Sequence, residues 1–299
     1  MEMPSPVTRL IVQNPTFKPM FNRLCLAIAF SPRSEALLAE AVRLTKIFNG
    51  HLTVLHVGDQ KGENTEAITQ TLVRKELPSS HFQIICESGS PANVILSVCK
   101  REKIDLLIAG ALQKENIIQY YLGTIGRTIL RKARCSVLML TDPSVEGMTL
   151  SNIVTLAEDS PYVEEAIAVS CKLAQASDTK WIHIVRELKM FGLTLSALDQ
   201  ATEQEYDKQR HQLVQEEIEK VEVILHRLPH SEVKVNIKVI SGKSGFELAR
   251  FAEKKNADLL VVGAPNRRIY FFDRFFRHDL EYLFADLPCN LLIVHGQQP

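Results

Sequence analysis

The chain has 299 residues, enough for two domains at the usual size of roughly 100–200 residues each. Its 35 basic and 35 acidic side chains balance, so its charge does not indicate a nucleic-acid partner or an anionic membrane surface. No apolar run reaches the ~18–20 residues of a membrane span and no secretory leader is recognisable, so a cytoplasmic location is expected. The six cysteines form no C-x-x-C pair, which favours buried free thiols over disulfides or a metal site.

Short apolar runs alternate with longer stretches of helical period, a pattern that predicts β-α-β units around a parallel sheet. Residues 1–20, with four prolines, are predicted to form an N-terminal arm that holds one short strand at 10–12. A first domain is predicted over 21–145. Its strands are expected at 24–29, 52–56, 82–86, 106–109 and 136–140, and its helices at 34–48, 66–76, 91–102 and 124–133.

Turn-forming residues at 142–147 predict a linker, followed by a second domain over 150–299. Its strands are expected at 153–157, 181–184, 234–239, 259–262 and 290–294. Between the second and third of these lies a charged stretch, 197–228, whose apolar residues recur every three or four positions: Val214, Ile218, Val221, Leu225 and Leu228. This spacing predicts an inserted amphipathic helix that covers a sheet face or a partner surface.

The two domains are copies of one unit. The run 104–111 matches 257–264 at an offset of 153 residues, and Cys135 with the strand after it matches Cys289 at 154. Nearer the start, matching Leu55-His56-Val57 to Ile182-His183-Ile184 gives an offset of 127. On that match the second copy gains 26 residues, and His56 and His183 occupy equivalent strand ends.

The order of these elements, twice over, resembles the universal stress protein family across about residues 22–296. The shared features include Glu-Ala at the first helix, a strand ending in His-Val or His-Ile, and Asp-Leu-Leu-Ile or Asp-Leu-Leu-Val before a glycine. The resemblance implies an α/β fold of two tandem Rossmann-like (adenine nucleotide alpha hydrolase-like) units. Each would be a five-stranded, mostly parallel sheet in the order 3-2-1-4-5, with a ligand beyond strands one and four.

Nucleotide-binding members of the family carry G-x2-G-x9-G-[ST] after the fourth strand. In the first copy this motif falls on Gly110, Gln113, Gly123 and Thr124, with glutamine in place of the second glycine. Glycines let backbone amides approach phosphates, and a hydroxyl at a helix N-terminus adds a donor beside the helix dipole. Lys114 would add a positive charge near a terminal phosphate. A strand end, a turn and a helix cap would use the same residues, so capping remains an alternative.

Two more positions of the first copy are candidates for contact with adenosine. Val57 ends the second strand. Phe30 lies in Ala29-Phe30-Ser31, where binding members of the family place an aspartate and this copy has no carboxylate. Phe30 could stack on a base or serve as a core or lid aromatic. The implied ligand is ATP, with Mg²⁺ only as the partner of its phosphates.

The second copy shows the opposite pattern. Asp159 follows its first strand and supplies a carboxylate, but Phe276-Arg277 or Arg277-His278 stands where the motif has glycine and threonine. We therefore expect the standard pocket to be lost. Arg277 and His278 could instead join Arg267, Arg268 and Arg274 in a separate anion site, since guanidinium groups suit phosphate. The alternative is a solvated basic loop that pairs with nearby aspartates.

No nucleophile, base and orienting group occur together, so no enzyme activity is predicted beyond the slow ATP hydrolysis that the resemblance allows. Two functions remain. One is a cytoplasmic stress-response regulator that senses adenine nucleotide through the first copy. The other is a non-binding adaptor whose inserted helix and aromatic loop (270–276) engage a partner protein. The resemblance also implies pairing through the fifth strands, in a homodimer or an intramolecular pseudo-dimer of 136–140 with 290–294.

Overall fold

The computed structural model describes residues 20–58, 62–113, 120–158, 160, 162–187, 203–228, 233–240, 244–264 and 283–296. The strand predicted at 10–12 lies outside these residues, as does the aromatic loop 270–276. Within the described residues, no helix combines the length and the apolar character needed to cross a bilayer.

The first half forms its predicted strands and helices with boundaries shifted by a few residues. Its elements are β1 Arg23–Ile28, α1 Ser34–Phe48, β2 His51–Val57, α2 Gly62–Arg74, β3 Phe82–Glu87, α3 Pro91–Arg101, β4 Leu106–Gly110, β5 Leu112–Gln113, β6 Tyr120–Tyr121, α4 Thr124–Lys132 and β7 Ser136–Leu140. The two-residue strands β5 and β6 pair antiparallel as a small hairpin that the sequence pattern did not predict.

The second half repeats this order among the described residues. Its elements are β8 Asn152–Leu156, α5 Val163–Gln175, β9 Trp181–Glu187, α6 Glu203–Leu225, β10 Lys234–Ile240, α7 Ser244–Lys254, β11 Leu259–Ala264 and β12 Asn290–His295.

The predicted fold class is confirmed. Ten strands form one sheet in the order β10-β9-β8-β11-β12-β7-β4-β1-β2-β3, so each half has the order 3-2-1-4-5. Neighbouring strands within each half are parallel, and the fifth strands β7 and β12 join the halves by antiparallel pairing that places Leu138 opposite Leu292. The seam also carries side-chain hydrogen bonds, from Thr141 N to Asn290 Oδ1 (2.8 Å) and from His295 N to Ser136 Oγ (3.0 Å).

Both faces of the sheet are covered by helices, which explains why the strands are near-continuous apolar runs. Helices α1, α2, α5 and α6 pack on one face, and α3, α4 and α7 pack on the other. β7 and β12, although they come last in their halves, are buried at the centre of the sheet. The carboxyl ends of β1 and β4 meet at one edge, where the strand order reverses.

The register of the second strand corrects one sequence match. Leu52 pairs with Leu24, and Ile182 pairs with Ile153 at the corresponding place in the second half, which gives an offset of 130 residues instead of 127. His183 therefore lies within its strand, at the position of Thr53, and it is buried with Asn236 Nδ2 3.1 Å from its Nδ1. His56 lies at its strand end, so the two histidines are not equivalent.

Helix α6 occupies the place that α2 holds in the first half, because both connect the second and third strands of their units. Val221 and Leu225 are buried like Ile68 and Leu72, each pair at the offset of 153 residues. With 23 residues against 13, α6 is the longer helix, and its additional length precedes this shared part. The helix predicted as an insertion is thus an N-terminally extended counterpart of α2.

Candidate functional site

A cavity of about 770 Å³ opens at the carboxyl ends of β1 and β4. Three segments form most of its wall: the end of β1 with the turn into α1, the end of β4 with the hairpin β5–β6, and the first turn of α4. Val57 at the end of β2 and Pro91 at the start of α3 also line it. The cavity lies where the strand order reverses, the usual ligand position in open α/β sheets.

The structure brings five of the predicted site residues together on this cavity: Val57, Gly110, Gln113, Gly123 and Thr124. Phe30 is not part of the cavity wall. Its ring is 42% exposed and packs on His56, with ring centroids 4.4 Å apart. The remaining predicted residues, Lys114, Asp159, Arg277 and His278, lie outside the described residues.

Helix α4 begins at the cavity with an open N-terminus. Gly123 is its N-cap residue, in an extended conformation (φ −69°, ψ 178°), and no side chain caps the helix. Its carbonyl accepts the first helical hydrogen bond, from Arg127 N at 3.0 Å. The amides of Thr124, Ile125 and Gly126 precede that bond and have no acceptor within the helix. Thr124 is the first helical residue and does not cap the helix through its side chain, whereas Gly110 ends its strand as the structural alternative also expects.

Gly123 also fits closely against the hairpin. A Cβ atom added to it would lie 2.7 Å from Leu112 Cδ1, at the end of a side chain that is 52% exposed. A side chain at position 123 would therefore displace Leu112 but would meet no backbone strain, because the φ angle is one that any residue adopts.

The hairpin β5–β6 is held by the second half of the molecule. Leu287 N donates to Tyr120 O at 2.9 Å, and Leu122 N donates to Phe284 O at 2.9 Å. Leu112, Gln113, Tyr121 and Leu122 line the cavity, so its rim is fixed by backbone hydrogen bonds to residues that precede β12. The first half thus provides the cavity, and the second half positions one wall of it.

Arg33, at the N-cap of α1, is a cavity residue that the sequence reasoning missed. Its guanidinium donates to Ala111 O at 2.9 Å and to Thr141 O, and it lies 5.6 Å from the centroid of the Tyr120 ring. Burial raises the pKa of Tyr120, the charge of Asp142 and a hydrogen bond to it add to the rise, and Arg33 opposes it. Nothing in a local pattern marks Arg33, because its partners lie about 80 and 110 residues away.

The model of the universal stress protein family matches residues 20–141 and 150–295, which together make up most of the chain. The chain belongs to the universal stress protein family. Among curated relatives, universal stress protein YxiE from Bacillus subtilis is 24% identical over 147 residues, covering 40% of this chain and 99% of that protein.

Two solved structures share the fold over almost the whole length. A functionally unknown protein from Pseudomonas aeruginosa PAO1 has a TM-score of 0.66 at 15% identity and covers 92% of this chain and 93% of its own. A universal stress protein from Archaeoglobus fulgidus has a TM-score of 0.62 at 13% identity and covers 92% of this chain and 98% of its own. The fold of almost the whole chain, both halves together, therefore recurs in other solved structures.

At the corresponding strand ends, the described residues of the second stress-protein unit differ from those of the first. Tyr162, the N-cap residue of α5, stands where Arg33 stands in the first unit. The Tyr162 ring lies so close to Gly296 that a Cβ atom added to this glycine would be 2.1 Å from Tyr162 Cδ1. The carbonyl oxygen of Tyr162 would likewise be 3.0 Å from a Cβ atom added to Gly263. The uncharged ring thus packs at the end of β12, and the backbone of Tyr162 packs on the end of β11.

A buried ion pair closes the end of β9. Arg186 occupies the register position of His56, and it donates to Ala157 O at 2.7 Å and to Glu217 on α6. His56 contacts the equivalent carbonyl, with its Nδ1 3.2 Å from Ile28 O. Burial raises the pKa of Glu217, but hydrogen bonds from Lys220 and Arg186 outweigh it, so the net pKa is lowered from the ordinary 4.5. Within the described residues, no three His, Cys, Asp or Glu side chains are grouped so as to hold a metal.

Proposed function

We propose that the protein is a cytoplasmic stress-response regulator that binds an adenine nucleotide, ATP or a shorter phosphate form, in the cavity of its first unit. The observation that supports this proposal most directly is the uncapped N-terminus of α4, which faces the cavity at the place where the strand order reverses. Free amides at a helix N-terminus and the helix dipole favour phosphate. The volume of about 770 Å³ is within the roughly 300–1,000 Å³ of small-molecule sites.

The lining suits the other parts of such a ligand. Apolar side chains from β1, β2 and α3, among them Ile28, Val57 and Ile95, offer a surface for a base. The described lining residues include no carboxylate, so Mg²⁺ enters this proposal only as the partner of ATP phosphates. The proposal further assigns the two units to 21–145 and 150–299, and treats the β7–β12 seam as an intramolecular pseudo-dimer interface.

Titration calorimetry with ATP and AMP tests this function, together with mass analysis of nucleotide that co-purifies. Gly123→Arg places a large side chain at the start of α4 without backbone strain, and it should abolish binding. Ser79→Arg, on an exposed turn outside the cavity, is the matched control and should bind like the wild type. A wild type that binds no nucleotide overturns the proposal, and equal binding by wild type and Gly123→Arg moves the site elsewhere.

One observation favours the adaptor as the alternative function. The extended part of α6 projects beyond the shared helix, and residues 208–212 are all exposed. An exposed surface helix is a form that partner proteins recognise. Replacing residues 208–212 by alanine should leave nucleotide binding intact under the first function. If the wild type binds no nucleotide and this variant loses a regulatory effect in cells, the adaptor function is supported instead.

A further inference from the structure

Arg33 is a cation at the wall of a largely apolar cavity. It lies in the turn between β1 and α1, and its side chain crosses the ends of β4 and β7 to reach two backbone carbonyls. Among the described lining residues it is the single charged one. Its half-buried guanidinium is held over the Tyr120 ring, at 5.6 Å from the centroid. The cation is therefore fixed in place by its surroundings.

The Arg33 guanidinium has more hydrogen-bond donors than it has acceptors among the described residues. It has five N–H groups, and the hydrogen bonds to Ala111 O and Thr141 O use one on each terminal nitrogen. Three N–H groups remain without a partner in the part of the chain that the structure describes. No described carboxylate lies within salt-bridge distance of Arg33, and the charge of Asp142 acts on Tyr120 by raising its pKa.

A partly desolvated cation is costly unless an anion compensates it, and arginine matches the oxygens of phosphate in geometry. The hairpin places Arg33 near the phosphate-loop residues, because Gln113 pairs with Tyr120 and Leu112 touches Gly123. The second unit has no cation at this position, because Tyr162, with an uncharged ring, is the N-cap residue of the corresponding helix.

We propose that Arg33 recognises the anionic group of the ligand and so sets the preference of the cavity for phosphorylated over neutral ligands. This inference rests on the proposed nucleotide function and names the residue that provides its charge specificity. Affinity should increase from adenosine to AMP to ATP, and the increase should depend on Arg33. The dependence should weaken as ionic strength rises, since a charge contact is screened.

The experiment is calorimetry on the full chain with adenosine, AMP, ATP and inorganic pyrophosphate. Arg33→Met removes the charge and keeps a long side chain, and Arg33→Lys keeps the charge without the planar fork. Arg74→Met is the matched control, because Arg74 is an exposed arginine that pairs with Glu35 outside the cavity. Melting temperatures verify that each variant is folded.

Arg33→Met should bind ATP about ten- to hundredfold more weakly, as expected for loss of a charge-assisted contact, and should leave adenosine nearly unchanged. Arg33→Lys should recover part of the affinity for ATP. Equal weakening of adenosine and ATP would show a purely structural role and overturn the proposal.

Two further outcomes separate this inference from the function on which it rests. Unchanged ATP binding in Arg33→Met overturns the role of Arg33 and leaves the nucleotide function standing. Pyrophosphate binding that needs Arg33, with no binding of adenine nucleotides by the wild type, supports Arg33 and overturns the nucleotide function. A wild type that binds neither probe overturns both.

Discussion

The two stress-protein units share one strand order but place different side chains at the carboxyl ends of their strands, where the strand order reverses. In the first unit, Arg33 reaches carbonyls at the ends of β4 and β7 and leaves a cavity beside them. In the second unit, Tyr162 packs on Gly296 and Arg186 pairs with Glu217 across the end of β9. The strand register is the same in both, because it is specified by buried apolar faces. The two units therefore share their strand pairing and differ in the side chains that meet at the strand ends.

The Arg186–Glu217 pair provides the strongest test of this contrast. The Arg186 side chain is 4% exposed and that of Glu217 is 14% exposed. Glu217→Ala should lower the free energy of unfolding by about 3 kcal/mol, because it removes the Glu217 carboxylate from the buried guanidinium of Arg186. Lys220→Ala removes the exposed partner of the same carboxylate and should cost under about 0.5 kcal/mol. Chemical denaturation measures both, and similar losses in the two variants would contradict the account.

Asn290 and Ser136 allow a comparison across the seam, since they begin equivalent strands. Asn290 is buried, accepts from Thr141 N and donates to Asp258 O at 2.7 Å, whereas Ser136 accepts one bond from His295 N. Asn290→Ala should cost about 2 kcal/mol, because it leaves buried polar partners unsatisfied, and Ser136→Ala about 1 kcal/mol. Thermal and urea unfolding measure the loss of stability in each variant. A larger loss for Ser136→Ala than for Asn290→Ala would contradict the greater contribution assigned to Asn290.

The lowered pKa of Glu217 predicts acid sensitivity in the second unit. A carboxyl whose pKa is lower in the folded state contributes stability above its unfolded pKa, near the ordinary 4.5, and loses it as the pH falls through the folded value. The stability difference between wild type and Glu217→Gln should therefore be constant at neutral pH and shrink below about pH 4.5. Unfolding curves across this range provide the measurement, and a difference that does not shrink with acid would argue against the ion pair.

The corrected register of β9 predicts the smallest changes in stability. Thr53 with Gln83 and His183 with Asn236 are equivalent polar pairs on neighbouring strands, at donor–acceptor distances of 3.0 and 3.1 Å. Gln83→Ala and Asn236→Ala should each cost about 1 kcal/mol by removing a hydrogen bond to a buried group, and Gln83→Ala also removes a longer bond of 3.3 Å to Glu102 Oε2. Denaturation midpoints compare them, and an effect for one variant alone would mean that the pairs are not equivalent.

The fold could be predicted from the sequence because each strand and helix has its own local pattern of apolar residues, and the order of these patterns occurs twice. The resemblance to the family placed Gly110, Gly123 and Thr124 in one motif, and they line one cavity because that motif lies within a single strand-to-helix connection. The comparison of the two copies matched His56 to His183 wrongly, because two short apolar runs with a histidine resemble each other by chance. Arg33 and Tyr162 could not be found, since their roles depend on carbonyls and glycines brought close only by the sheet.

If the cavity of the first unit is the nucleotide site of the chain, native mass spectrometry of the purified protein with ATP counts its occupancy directly. We expect one nucleotide per chain in the wild type and none in Gly123→Arg, with Ser79→Arg retaining one. Two nucleotides per chain, or one retained in Gly123→Arg, would contradict this assignment.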